Sequence, residues 1–225
     1  MKLLDKKNKI YLLDDENFDF PTLEMMKDDL VAVGGDFHPQ RLINAYENGI
    51  FPWYIDDYGY IHWFSPNKRM VLNPNEMKVS KSLKKSITNR GFVVKSNENF
   101  EKVMRECAEI KRKHEDSTWI SEEFIEAYTN LFELEIAFSV ETYLNDELVG
   151  GLYGLVIGDV FCGESMFAKV TDASKVAFYH LCQWAKENEI KIIDCQVYND
   201  HLASLGAYEI SRDEYFQLLK ENSDS

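Results

Sequence analysis

No apolar run in this sequence approaches the ~18 residues that a membrane-spanning helix requires. The N-terminal residues 1–5 mix basic, apolar and acidic side chains, and no apolar stretch follows them as it would in a secretory signal. The four cysteines have no paired spacing, which predicts reduced thiols rather than a disulfide framework. Together these absences predict a cytoplasmic protein with no membrane partner.

Positive charge is scarce as well, because 25 basic residues face 39 acidic ones and the formal net charge is −14. Such a balance argues against broad binding along a nucleic-acid backbone, which depends on releasing counterions from many phosphates. It leaves room for contact with one short nucleic-acid end through a local basic patch. With 225 residues, 45% of them apolar, the chain is long enough for one sizeable globular unit or two small ones.

Several familiar catalytic patterns are missing. The segment Gly163–Phe167 resembles a nucleophile elbow, but Phe167 stands where the second glycine is required. The five histidines have no metal-ligand spacing with one another or with cysteine, and neither standard phosphate-binding glycine loop occurs. We therefore expect no metal site and no bound cofactor.

The composition of the chain changes near Met70. Residues 1–70 are rich in aromatics, glycine and proline, and a hairpin is plausible in the aromatic run Ile50–Phe64. Beyond this point we expect helices that begin at Ser80, Asn99, Ser121, Asp172 and His201, and strands at Ala137–Leu144, Glu147–Ile157, Asp159–Phe167 and Lys191–Val197. This order predicts an α+β fold with a small N-terminal domain at 1–70 and a second domain at 71–225.

Two short segments place polar side chains on predicted strands. Asp194 and Gln196 lie on an otherwise apolar strand, where alternation would put them on one face and Cys195 on the other. Two polar groups there must satisfy each other or serve a function, and the residues alone leave both readings open. Likewise, Glu164 and Met166 would share a face of their predicted strand. The ordinary structural roles are a salt-bridge partner for Glu164 and a core position for Met166.

A set of ordered motifs resembles the bacterial leucyl/phenylalanyl-tRNA–protein transferase family. The resemblance extends over residues 20–219, nearly the whole chain. Its motifs are Val33–Asp36, Asn48–Trp53, Ser117–Ser121, Leu148–Gly154, Gly163–Phe167, Asp172–Lys175, Asp194–Val197 and His201–Ala207. Each motif alone is weak, and the resemblance is carried by their order.

The resemblance implies a fold, a reaction and partners. The second domain is expected to be similar to the GNAT acyltransferases. The α-amine of a protein that begins with Arg or Lys is expected to attack the ester of leucyl- or phenylalanyl-tRNA, bound through its 3′ end. The product, with its new N-terminal Leu or Phe, would be marked for degradation. An aminoacyl ester is already activated, so neither ATP nor a cofactor is needed. We also expect the protein to be a monomer.

The resemblance also implies roles for individual residues. Gln196 would accept a hydrogen bond from the attacking amine, Asp194 would hold and polarise Gln196, and Glu164 would pair with the acceptor's cationic side chain. Met166 and Phe178 would line the pocket for the Leu or Phe side chain. The terminal adenosine of the tRNA would meet Trp53, Trp119, Tyr46 and Tyr128, with Asn199 nearby.

Alternatives remain open for the basic stretch and for the reaction. The stretch at Lys78, Lys81, Lys84, Lys85 and Arg90 predicts either contacts with acceptor-stem phosphates or a solvated helix face. A CoA-dependent acetyltransferase would need a glycine-containing pyrophosphate loop where the sequence has residues 171–174. A tRNA-dependent transferase of cell-wall precursors would need a different acceptor site, and a non-catalytic binding module would use the same residues without forming a bond.

Overall fold

The computed structural model describes residues 1–14, 16–110 and 120–223, with the side chains of 221–223 left aside. The elements in chain order are β1 (Lys2–Asp5), β2 (Ile10–Leu13), β3 (Leu30–Gly34), α1 (Pro39–Glu47), β4 (Phe51–Ile55), β5 (Ile61–Phe64), β6 (Lys68–Leu72), α2 (Lys81–Asn89), β7 (Val93–Ser96), α3 (Phe100–Glu109), α4 (Glu122–Glu133), β8 (Ala137–Leu144), β9 (Glu147–Ile157), β10 (Val160–Ala168), α5 (Ala173–Glu187), β11 (Ile192–Gln196), α6 (Asp200–Ser204), β12 (Tyr208–Ser211) and α7 (Arg212–Ser223). Short 3₁₀ turns occur at Leu23–Met25 and Pro74–Glu76.

The chain divides into two compact units. The first comprises residues 1–69 and 209–225, and the second comprises residues 70–208. The change of composition near Met70 coincides with the boundary between residues 69 and 70. The division differs from the expected 1–70 and 71–225 at the other end of the chain, where the last seventeen residues, 209–225, group with the first unit.

The first unit is built on a five-stranded sheet of order β1-β2-β3-β5-β4. Strands β2 and β3 run parallel, and the neighbours β3–β5 and β4–β5 run antiparallel. The aromatic run therefore forms the hairpin expected from its turn residues, with Gly59 at a φ of 83° near the tip. Helix α1 follows β3 and is preceded by His38, whose side chain accepts the Gln40 backbone N–H at 3.2 Å.

Two buried arginines explain why α7 belongs to the first unit. The guanidinium of Arg69 lies 4.7 Å from the ring centre of Phe51 and 4.6 Å from that of Tyr215 on α7. Its Nη1 also donates to the Gly49 carbonyl at 3.2 Å. Arg212, at the start of α7, donates to the Asp28 carbonyl at 2.8 Å. A buried guanidinium is tolerated because its charge is matched to ring faces and carbonyl oxygens.

The second unit contains most of a mixed seven-stranded sheet of order β12-β6-β11-β10-β9-β8-β7. Strands β10 and β11 are parallel, whereas the pairs β6–β11, β9–β10, β8–β9 and β7–β8 are antiparallel. The turn between β8 and β9 is formed by Asn145 and Asp146, whose φ angles of 52° and 64° suit a two-residue hairpin loop. The expected pair of antiparallel strands is thus confirmed, and the unit is α+β as predicted.

Helix α5 covers this sheet and supplies much of its core. Val176, Leu181 and Ala185 are buried with Val140 and Phe161 in one hydrophobic cluster, as the apolar face of α5 predicted. Close packing is possible because β9 carries a glycine under the start of the helix. A Cβ added at Gly150 would come within 2.5 Å of the Ala173 Cβ.

The start of α5 differs in one detail from the sequence expectation. Asp172 occupies the N-cap position, but its carboxylate accepts the Ser86 hydroxyl at 2.7 Å rather than a backbone N–H of the helix. It also lies 3.7 Å from the Lys175 Nζ. The acidic side chain therefore ties α2 to α5. In contrast, Ser80 caps α2 as expected, accepting the Leu83 N–H at 3.1 Å.

Within residues 1–14, 16–110 and 120–223, no helix has both the length and the apolar character needed to cross a membrane.

Candidate active site

Two neighbouring bulges shape the polar centre of the second unit. The parallel pairing of β10 with β11 runs from Val160↔Ile192 to Cys162↔Asp194. Just beyond it, the register of β10 against β9 shifts at Glu164, and that of β11 against β6 shifts at Cys195. A bulge inserts one extra residue and re-aims the side chains around it. Strand β10 therefore departs from regular pairing at Glu164, and strand β11 departs from it between Asp194 and Gln196.

Asp194 holds the main chain of Gln196. The Asp194 side chain is buried, with 0% of its surface exposed, and its Oδ1 accepts the Gln196 backbone N–H at 2.8 Å. Gln196 has a φ of 61°, in the left-handed region that a residue with a side chain adopts only at a cost. The carboxylate thus stabilises an unfavourable backbone conformation. Strict strand alternation, which predicted the proximity of the two residues, ends at Asp194.

Glu164 joins the two strands and a helix. Its Oε1 accepts the side-chain N–H of Gln196 at 2.7 Å, and its Oε2 accepts the hydroxyl of Tyr128, on α4, at 3.2 Å. Glu164 as a whole residue is partly exposed. Three residues from β10, β11 and α4 therefore form one hydrogen-bonded chain, and Asp194 anchors its far end through the Gln196 backbone.

The residues expected to form the amino-acid pocket lie in the same unit. Phe178, on α5, is buried in the hydrophobic cluster, and Met166, on β10, is partly buried and packs against that cluster. Asn199 is exposed and serves as the N-cap of α6, since its side-chain oxygen accepts the N–H groups of His201 at 2.9 Å and Leu202 at 3.3 Å. Its amide oxygen has a structural partner in the helix that follows β11.

The aromatic residues expected beside the terminal adenosine do not all belong to the second unit. Tyr46 and Trp53 lie in the first unit, and Trp119 lies outside the described residues. Trp53 is half-buried, and its ring meets that of Phe64 edge-on at 4.9 Å between centroids. Tyr46 and Tyr128 are 1% and 0% exposed, so both are core aromatics with no ring face open for a base to stack on. The role beside a nucleotide that the resemblance implies for the two tyrosines stays a prediction.

The second unit carries a row of exposed lysines on α2. Lys81, Lys84 and Lys85 are all exposed on α2, whereas Leu83 is buried beneath them. Burial and then the charge of Lys175 lower the pKa of His201 below its ordinary value. These three lysines of the basic stretch thus form an exposed helix face. The described part of the chain contains no group of three or more His, Cys, Asp and Glu side chains that could hold a metal ion.

Sequence reasoning missed the contact between Tyr128 and Glu164. The two residues are 36 positions apart and belong to a helix and a strand that no periodicity connects. The bulge at Glu164 had a weak signal in the preceding Gly163, because a glycine within a strand often marks such a site. The bulge at Cys195 had none.

The second unit contains most of a mixed seven-stranded sheet with helices packed on it, and residues 1–69 belong to a separate small unit. A solved structure of FemX has a similar fold, with a TM-score of 0.51 at 13% sequence identity, covering 87% of this chain and 75% of that one. At this level of identity the similarity concerns the fold alone. Fold and site together define an α+β protein whose polar centre is one hydrogen-bonded chain across two strands and a helix.

Sequence relatives narrow this class to one family. The family model for leucyl/phenylalanyl-tRNA protein transferase matches residues 71–220, and the model for the N-terminal domain of the same enzymes matches residues 35–67. The leucyl/phenylalanyl-tRNA–protein transferase of Dechloromonas aromatica is 53% identical over 199 residues, covering 87% of this chain and 85% of that protein. The enzyme of the same name from Flavobacterium psychrophilum is 49% identical over 207 residues, covering 92% and 98%. The chain belongs to the leucyl/phenylalanyl-tRNA–protein transferase family and is an aminoacyltransferase.

Proposed function

We propose that this enzyme transfers Leu or Phe from aminoacyl-tRNA to the α-amine of proteins that begin with Arg or Lys. The observation that carries the proposal is the carboxylate of the partly exposed residue Glu164, whose Oε1 lies 2.7 Å from the side-chain nitrogen of Gln196. It supports the proposal because an anion that can bind a cationic side chain then lies beside an amide that can accept the amine's hydrogen bond. A carboxylate favours Arg through paired hydrogen bonds and accepts Lys as a point charge.

The reaction needs orientation more than activation. The amine nitrogen forms a bond to the ester carbonyl carbon, the bond from that carbon to the ribose oxygen breaks, and the ribose oxygen takes up the proton that the amine loses. A free α-amine has a pKa of about 7.7–8.0, so a useful fraction is neutral at neutral pH. Holding the amine and ester in the attacking geometry can lower the barrier by several kcal/mol.

In this proposal each polar residue has a separate part. The carbonyl of Gln196 accepts a hydrogen bond from the attacking amine, which orients its lone pair towards the ester. Asp194 keeps the Gln196 backbone in place, and Glu164 binds the cation of the acceptor. Met166 and Phe178 line the pocket for Leu or Phe, where an adaptable methionine suits two side-chain shapes.

The remaining parts of the proposal rest on the family resemblance. Trp53, Trp119, Tyr46, Tyr128 and Asn199 were assigned by resemblance to the neighbourhood of the terminal adenosine, and that assignment stays a prediction. A monomeric state, a cytoplasmic location and the marking of products for degradation belong to the same proposal. No bound cofactor is required, because the donor ester already carries the free energy for transfer.

The direct test is transfer of radiolabelled leucine from leucyl-tRNA to peptides that differ only in their first residue. We expect label on peptides that begin with Arg and Lys, and about background label on one that begins with Ala. Acetyl-CoA in place of leucyl-tRNA should give no product. Equal labelling of all three peptides would contradict the acceptor rule, and tRNA binding without any labelled peptide would favour a non-catalytic module.

We also propose that α2 meets acceptor-stem phosphates, because its exposed row of lysines is a local basic face in a protein of net charge −14. Replacing Lys81, Lys84 and Lys85 together by Ala should raise KM for leucyl-tRNA about tenfold at moderate salt and flatten its salt dependence. The measurement is KM for leucyl-tRNA against salt concentration. A leucyl ester of adenosine, which lacks those phosphates, serves as the control donor, and its KM should not change. An unchanged salt dependence for leucyl-tRNA would leave α2 as a solvated face.

A further inference from the structure

The neighbour of the Gln196 side chain determines which way its amide is turned. The Nε2 of Gln196 lies 2.7 Å from Glu164 Oε1. An ionised carboxylate only accepts hydrogen bonds, whereas an amide offers two N–H groups on one side and a carbonyl oxygen on the other. If the amide were reversed, its carbonyl oxygen would face the carboxylate oxygen with no proton between them. The contact with Glu164 therefore directs the carbonyl oxygen of Gln196 away from Glu164.

The carboxylate that fixes this amide is itself held by Tyr128. The Tyr128 hydroxyl donates to Glu164 Oε2 at 3.2 Å, the oxygen that Gln196 does not contact. Rotation of the carboxylate about its terminal bond would disturb both hydrogen bonds at once. Because its two oxygens have different donors, the carboxylate has one favoured orientation.

The ring of Tyr128 is held in place by its surroundings. It is 0% exposed, meets the ring of Tyr153 edge-on with 6.1 Å between centroids, and lies at 21° to the ring of Phe124 at 6.0 Å. Aromatic rings packed in this way have little freedom to turn or shift. The hydroxyl is therefore delivered to Glu164 from a rigid position, and the ring has no open face for a base.

We propose that Tyr128 is a positioning residue that acts through Glu164 to fix the amide of Gln196 with its carbonyl oxygen towards the attacking amine. This inference rests on the proposed function, in which that carbonyl accepts the amine's hydrogen bond. It gives Glu164 a second task beside binding the acceptor's cation. It also makes the hydroxyl of Tyr128, rather than its ring, the group that matters for the reaction.

The substitution Tyr128→Phe removes the hydroxyl and keeps the ring. We expect kcat for leucine transfer to an Arg peptide to fall about tenfold, because a hydrogen bond to a charged group is lost, while KM for leucyl-tRNA stays within about twofold. If the ring stacked on adenosine and the hydroxyl had no part, kcat would also stay unchanged, since phenylalanine stacks as well as tyrosine. The matched control is Tyr153→Phe, which removes the hydroxyl of the neighbouring buried ring and should leave both constants unchanged. An unchanged kcat in Tyr128→Phe, or an equal loss in the control, would overturn the proposal.

A spectroscopic measurement tests the same proposal without relying on turnover. In the intact protein, the side-chain NH₂ of Gln196 should give two well-separated proton signals that exchange slowly with solvent, assigned by their loss in Gln196→Glu. In Tyr128→Phe the two signals should draw together and exchange faster, and in Tyr153→Phe they should not move. Unaltered signals in Tyr128→Phe would refute the positioning role. If the wild type transferred neither Leu nor Phe, the proposed function would fail, and these signals would still report on the positioning.

Discussion

Replacing Asp194 by Ala should lower kcat for leucine transfer about a hundredfold, whereas Asp194→Asn should retain most of the activity. The carboxylate of Asp194 accepts the backbone N–H of Gln196 at 2.8 Å, and Gln196 adopts a left-handed φ of 61°. Alanine removes the acceptor, so the backbone can relax and carry the Gln196 amide away from its productive position. A displacement of about 1 Å at a reacting centre can cost about a hundredfold in rate. Asparagine has the same shape and offers a carbonyl oxygen to the same N–H.

The comparison of Asn with Ala separates two roles for Asp194. If the residue polarises Gln196 through its charge, Asp194→Asn should lose as much activity as Asp194→Ala. If it holds the backbone, the two variants should differ by about tenfold or more, because only alanine lacks the hydrogen bond. The measurement is single-turnover transfer from saturating leucyl-tRNA to an Arg peptide. The side chain is buried, so thermal unfolding must show that each variant is folded at the assay temperature. A wild-type rate in folded Asp194→Ala would remove the residue from the mechanism.

The sequence predicted much of the second unit because its signals are local. The turn pair Asn145-Asp146 has the residue types that a left-handed two-residue loop requires, and the flanking strands follow from it. The apolar face of α5 has helical spacing, and its residues are found in the core. A glycine within a strand often marks a close approach of backbone, and Gly150 packs under Ala173.

Features that depend on distant residues could not be read in this way. Helix α7 groups with the first unit because Tyr215 packs on Arg69, and nothing near either residue in the sequence indicates the other. The bulge at Cys195 depends on β6, which pairs Val71 with Asp194 and Met70 with Gln196. Strand alternation was the reason to group Asp194 with Gln196, and their contact instead runs through the backbone of Gln196.

In the candidate site, too, some features were predictable from the sequence and others were not. Family resemblance singled out Asp194, Gln196, Glu164 and Tyr128, and these four lie in one hydrogen-bonded chain. The direction of those bonds was beyond the sequence, because it depends on which group donates and which only accepts. That direction is the basis of our proposal that the hydroxyl of Tyr128 acts through the carboxylate of Glu164.

The last prediction concerns the charge of Glu164. Wild-type enzyme should prefer a peptide that begins with Arg over one that begins with citrulline, an uncharged analogue of the same length, by roughly ten- to hundredfold in kcat/KM. A charge-assisted hydrogen bond to a partly buried carboxylate is worth about 1.5–3 kcal/mol, which corresponds to this range. In Glu164→Gln the preference should collapse to near unity, because an amide carries no charge to distinguish the two side chains.

The ratio is the informative quantity because Glu164 also contacts Gln196. Loss of the carboxylate would disturb the Gln196 amide and slow transfer to both peptides alike, and that shared effect cancels when their kcat/KM values are divided. A uniform loss with an undiminished preference for Arg would therefore mean that Glu164 positions Gln196 but does not bind the acceptor's cation. The control is Glu147→Gln, at an exposed carboxylate where β9 begins, which should change neither rate nor preference. If Glu147→Gln lowered the preference as much, the effect would come from the net negative charge of the protein, which both substitutions change by the same amount.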